Sequence, residues 1–134
     1  MMIVPVSAVF AAVLGVLLIV LSLLVSRHRL RLQKGLGVNE DIDFQAAVRA
    51  HANLTEYAPI GLIMLAVAEL NGVSGTLIYW VGMGFVAGRL LHAFGMINGR
   101  GGPHMARMVG ILLTWLAILV LSILLFWNVF QVYG

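Results

Sequence analysis

The sequence predicts an all-α integral membrane protein, a four-helix bundle of up-down-up-down topology forming a single domain over residues 1–134. Three observations carry that prediction. Residues 1–26 contain no charged side chain, residues 108–134 contain none either, and the connectors between apolar stretches are short. Each charge-free stretch exceeds the roughly 20 apolar residues needed to cross about 30 Å of hydrocarbon. With 62% hydrophobic and 10% charged residues, a water-soluble domain wrapped in a polar shell is excluded. The absence of cysteine excludes disulfides and thiolate metal sites.

The first span covers about residues 3–25. It lacks a basic leading segment and a small-residue cleavage pattern, so it reads as a retained helix rather than a signal peptide. The second, about 44–70, is unusual, because its charge-free part from Tyr57 to Ala68 is too short to cross alone. Extended back through RAHANLTEYAP, it becomes long enough with tilt. The third covers about 74–97 and the fourth about 106–130. The connectors RHRLRLQKGLGVNEDID, NGVSG and NGRGGPHMAR suit antiparallel neighbours. Glu69, Asn71 and Gly72 read as the end of the second helix and its turn. Gly84 and Gly88, with Gly95 beyond them, read as a helix-packing face. Trp80, Trp115, Trp127 and Tyr133 read as interfacial anchors.

The cations set the expected orientation. Arg27, Arg29, Arg31 and Lys34 follow the first span, Arg100 and Arg107 flank the last, and the connector between spans two and three has no Lys or Arg. The positive-inside rule then puts the first and third loops in the cytoplasm and both termini outside. This topological role accounts for the formal charge of +3 without nucleic acid, and attraction to anionic lipid is a compatible extra.

Arg49, Asn53 and Glu56 recur at spacings that put them on one helical face of the second span. At about 1.5 Å per residue Glu56 lies roughly 18 Å in from Phe44, where a lone ion costs from about 3 to over 10 kcal/mol. It requires a partner, water or a proton. The antiparallel third span brings Arg89 to the depth of Glu56 and His92 to that of Asn53, and Arg89 and His92 share a face. One reading is a buried Arg89–Glu56 pair that pins two helices, with Asn53 and His92 bonding between them. The other is a binding recess: Arg49, Asn53, Arg89 and His92 are more donors than one carboxylate can use, which suits a ligand carrying carboxylates. Pro59 frees the carbonyl of Thr55 one turn from Glu56. The sequon Asn53-Leu54-Thr55 sits inside a span and is set aside. No phosphate-binding glycine loop, zinc pattern or serine triad is present, and no metal is expected.

The pattern R-A-H-x-N-x-x-E-Y-x-P (Arg49, Ala50, His51, Asn53, Glu56, Tyr57, Pro59), the four spans and the third-span R-x-x-H (Arg89, His92) together resemble the MAPEG family. These are the membrane-associated proteins of eicosanoid and glutathione metabolism, and the compact loops are similar to those of small bacterial members. The resemblance covers essentially the whole chain. It implies a homotrimer in the inner membrane of a bacterium, with glutathione bound as co-substrate between subunits near the cytoplasmic face. By position it implies that Arg29, Arg49, His51, Asn53, Glu56, Tyr57, Arg89 and His92 contact glutathione, Glu56 through its amino group. It implies a thiolate-stabilising arginine at the start of the last span, Arg107, with Arg100 as the fallback. Met96 departs from the pattern, standing where several members have a tyrosine that contacts glutathione.

The resemblance implies a glutathione-dependent transferase or peroxidase whose thiolate attacks a hydrophobic small-molecule acceptor arriving from membrane lipid. One branch of the family binds lipid ligands without catalysis, so a ligand-binding or scaffold protein is the alternative. A third reading, from Glu56 and the arginines alone, is a small transporter.

Overall fold

The computed structural model describes residues 1–37 and 40–133. Val38 and Asn39, in the middle of the first predicted connector, and Gly134, the last residue of the predicted domain, lie outside the described residues. Four α-helices are present among the described residues: α1 (Pro5–Leu32), α2 (Ile42–Leu70), α3 (Gly75–Asn98) and α4 (Met105–Tyr133). Each predicted span falls within or nearly matches one of them. The main difference is at the end of α1, which continues to Leu32, so Arg27, Arg29 and Arg31 ride on its last two turns rather than in a loop. Cations there interact favourably with the helix dipole.

Local chemistry explains the boundaries. Pro5 opens α1, where a missing N–H costs nothing. The next two N–H groups, of Val6 and Ser7, donate to the Glu69 carboxylate of α2 at 3.0 and 2.8 Å, and the Ser7 hydroxyl adds a third bond at 2.6 Å. A carboxylate from a different helix thus caps α1. Asp41 caps α2 by accepting the Phe44 N–H at 2.8 Å, and it also accepts from Arg31 at the same distance. The Phe44 N–H, helped by the Arg31 charge and set against some desolvation, holds the Asp41 carboxyl below the usual carboxylate range. Ser74 caps α3. As expected, α2 ends at Leu70 and the chain reverses through Gly72, whose φ of 82° suits glycine. α2 runs through Pro59 without ending.

α2 and α3 each touch the other three helices, while α1 and α4 sit on opposite flanks and do not meet. The core between them is built from Phe10, Leu14, Leu21, Leu54, Leu65, Ile78, Phe85 and Leu121. The tightest seam joins α3 to α4. A Cβ on Gly88, Gly95 or Gly110 would lie 2.8, 2.3 or 2.5 Å from a backbone atom of the facing helix. Only glycine lets the backbones approach so closely. The packing face was therefore legible in part: Gly88 and Gly95 form it, whereas Gly84 faces open space.

The outside of the bundle is apolar. Val16, Ile19 and Leu23 on α1 and Leu116, Leu119 and Ile123 on α4 are all more than half exposed, as expected where lipid is the solvent. α1, α3 and α4 are long and apolar enough to cross a membrane. α2 has the length but also carries Asp43, Arg49, Glu56 and Glu69. The protein is an integral membrane four-helix bundle.

Candidate functional site

The polar residues gather at the end of the bundle where α2 begins, α3 ends and α4 begins. The α2 set divides between two faces. Arg49 and Glu56, seven residues apart and so stacked two turns along one stripe, bond to each other, Nη1 to Oε1 at 2.8 Å and Nη2 to Oε2 at 3.3 Å. Their side chains are 54% and 47% exposed. Asn53 points instead into the bundle and is buried. Its Oδ1 accepts from Arg89 Nη1 of α3 at 2.6 Å.

This corrects the Arg89–Glu56 pair. The antiparallel register did bring α2 and α3 polar groups to a common depth, but the residue facing Arg89 is Asn53, one turn earlier than Glu56. Glu56 lies about 60° further round the helix, turned away from α3 and toward Arg49. Arg89 is 2% exposed and donates from Nε to the Thr114 hydroxyl at 2.9 Å. Its guanidinium carbon lies 4.9 Å from the centre of the Tyr57 ring, close enough for a cation–π contact. Its Nη2 is buried with no hydrogen-bond partner among the described residues. Tyr57 accepts the indole N–H of Trp115 at 3.1 Å.

Two clefts flank this cluster. The first, of about 610 Å³, is lined by Arg49, Ala52, Met96, Arg100 and Arg107, together with Ile42, Gln45, Ala46 and Val48 from the start of α2. The second, of about 400 Å³, is lined by Asn53, Tyr57, His92, His104, Arg107 and apolar neighbours on α4. Arg107 borders both. Its Nη1 donates to the carbonyls of Gly101 and Gly102 at 2.8 and 3.2 Å, which anchors the head group to the α3–α4 turn. Arg100 is paired with Asp43 at 2.8 Å.

Of the residues named from the sequence, Arg49, Asn53, Tyr57, His92, Arg100 and Arg107 line one cleft or the other. Glu56 adjoins the first through Arg49, and Arg89 backs the second through Asn53 and Tyr57. Arg29 and His51 are not brought to either cleft within one chain. Arg29 donates to the carbonyl of Gly35 at 3.1 Å and stacks over Phe44, and His51 meets the Ser22 hydroxyl at 3.1 Å. Three contributions were missed, those of Thr114, Trp115 and His104. Thr114 sits in an uncharged apolar stretch with nothing local to distinguish it, and Trp115 reads from the sequence only as an interfacial anchor, not as a partner of Tyr57. The depth matching applied to α2 and α3, if extended to α4, would have found Thr114 opposite Arg89. No grouping of metal-ligating side chains occurs among the described residues.

The chain is 30% identical over 122 residues to the inner membrane protein YecN of Escherichia coli K12, covering 91% of each chain. It is equally similar to YecN of Escherichia coli O6:H1. The MAPEG family model matches residues 7–127, which takes in α2, α3, most of α1 and α4, and every cleft residue named above. The chain belongs to the MAPEG family.

Proposed function

We propose that this protein is a glutathione-dependent transferase or peroxidase of the bacterial inner membrane, acting as a homotrimer. The observation that carries the reading is the place of Arg107, bordering two clefts at once. One cleft adds Arg49 and Arg100; the other adds Asn53, Tyr57, His92 and His104. Glutathione offers two carboxylates, one ammonium and a thiol. Arginine and amide donors suit the carboxylates, and the exposed Glu56 carboxylate suits the ammonium. A free thiol titrates near 8.5, and an adjacent guanidinium stabilises its anion. With the thiol proton released to water, the sulfur lone pair forms the new bond to an electrophilic carbon whose leaving group departs. Lipid-exposed α4 beside the second cleft suits a hydrophobic acceptor.

The half-exposed Arg49–Glu56 pair supports a homotrimer. An ion pair on an outward face of a membrane helix is costly against lipid, and a neighbouring subunit would cover it. A neighbour would also bring its own Arg29 and His51, which lie away from both clefts within one chain, toward the site. The similarity to a protein named for the inner membrane supports that location, and the arginine distribution supports loops one and three inside. The cysteine-free chain makes the orientation easy to test. A reporter cysteine replacing Lys34 should resist a membrane-impermeant maleimide added to whole cells, and one replacing Gly72 should react; the reverse pattern would invert the topology.

A non-catalytic ligand-binding role is the second reading, favoured by Met96. It lines the first cleft without the hydroxyl that several family members carry there. The binding half of the proposal is tested by Glu56→Gln. Calorimetry with glutathione should show binding weakened about tenfold or more, the size of one lost charge-assisted pair, while native mass spectrometry still finds a trimer. Unchanged affinity would remove Glu56 from the site, and loss of the folded assembly would make the pair structural.

A further inference from the structure

We propose that Thr114 and Trp115 of α4 are positioning residues that fix the second cleft as a surface of hydrogen-bond donors, and so select an anionic ligand. The inference rests on reading that cleft as part of the glutathione site.

The polarity follows bond by bond. The Thr114 hydroxyl has one proton, and it donates that proton to the Gly110 carbonyl at 2.8 Å. What it offers Arg89 Nε is therefore a lone pair, which matches a guanidinium that can only donate. Held this way, Arg89 can be satisfied at Asn53 only by an acceptor, so the Asn53 atom 2.6 Å from Nη1 is the carbonyl oxygen. The opposite amide orientation would set two donors face to face. With its oxygen engaged, Asn53 has its NH₂ left for the cleft it lines.

Tyr57 is set in the same sense. An indole nitrogen only donates, so the Trp115 bond at 3.1 Å makes the phenol oxygen the acceptor and keeps the phenol proton for another partner. The same Arg89 lies against the Tyr57 ring. Asn53 and Tyr57 are thus both arranged to donate into the cleft they line.

The charge balance points the same way. The ion pairs among the described residues join Arg31 to Asp41, Arg49 to Glu56 and Arg100 to Asp43. Arg89 is in none of them, although it is 2% exposed and has an Nη2 without a partner. A buried cation with no carboxylate beside it favours an anion in the adjoining cleft. Ordinary helix back-bonding does not account for Thr114. Ser122 makes the same bond to the carbonyl four residues earlier, at 2.8 Å, and receives no guanidinium.

The test uses detergent-purified full-length protein and two probes, glutathione and glutathione esterified at both carboxylates. Thr114→Val keeps the shape of the side chain and removes the acceptor. It should weaken glutathione about tenfold and leave the diester affinity unchanged, and Thr114→Ser should restore the wild-type preference for the free acid. Trp115→Phe, at a lipid-exposed position, should lower the same preference even if Thr114→Val proves unfolded. Equal weakening of acid and ester, or an unaltered preference in the folded variants, overturns the proposal while leaving the glutathione site intact. No binding of glutathione to the wild type overturns both.

Discussion

At the scale of single residues, the proposed chemistry rests on Arg107. Its Nη1 is tied to the carbonyls of Gly101 and Gly102, so the charge is fixed at the meeting of two clefts. Arg100, the other arginine of that turn, is already paired with Asp43. This difference favours Arg107 for the thiolate. Arg107→Ala should leave glutathione affinity near wild type and lower turnover of a chlorodinitrobenzene test electrophile by on the order of 10²-fold, as for loss of one preorganised charge stabiliser. Unchanged turnover would move the role to Arg100. The residues themselves were largely legible, because charge and amide groups stand out against an apolar chain. Their pairing was not. Depth along a helix can be counted from sequence, but rotation about its axis depends on packing, and about 60° separates Asn53, facing Arg89, from Glu56, facing Arg49.

At the scale of helices, the site depends on the α3–α4 seam. Gly95 lets the first turn of α4 approach so closely that a Cβ there would lie 2.3 Å from the Arg107 nitrogen and 2.9 Å from its Cα. Both are backbone atoms and cannot swing aside. Gly95→Ala should therefore displace α4, lower stability in a detergent melt by about 1–3 kcal/mol and reduce turnover through Arg107. Gly84→Ala, which meets nothing within 4 Å, is the control and should be neutral. A wild-type melt for Gly95→Ala would contradict the seam. The glycines were recognisable as a packing face, and their spacing suggested the wrong pair. Gly84 and Gly88 are the nearer in sequence, but Gly88 and Gly95 are the two that meet α4. The Glu69 cap on α1 was hidden for a related reason: a carboxylate at a helix end reads as local polarity, and its partners lie more than 60 residues away.

At the scale of the whole molecule, the bundle is arranged for lipid outside and polar contacts inside. Its exterior is apolar, and four of the five buried polar residues among those described, Arg89, Asn53, His92 and Thr114, converge between α2, α3 and α4, while Ser7 is held by Glu69. The four-helix class was readable because two charge-free stretches and short connectors leave few other topologies. The proposed homotrimer was legible only through the resemblance, because the half-exposed Arg49–Glu56 face that supports it becomes visible only when the helices are placed. Family membership and the donor-rich double cleft are the two observations that support the proposed glutathione site. The first experiment is a glutathione titration of the detergent-purified protein near neutral pH, followed by thiolate absorbance in the ultraviolet and by calorimetry. A saturable thiolate signal tracking the binding heat is the predicted result. Heat without the thiolate signal would make this a binding protein rather than an enzyme, and neither heat nor signal would contradict the glutathione site itself.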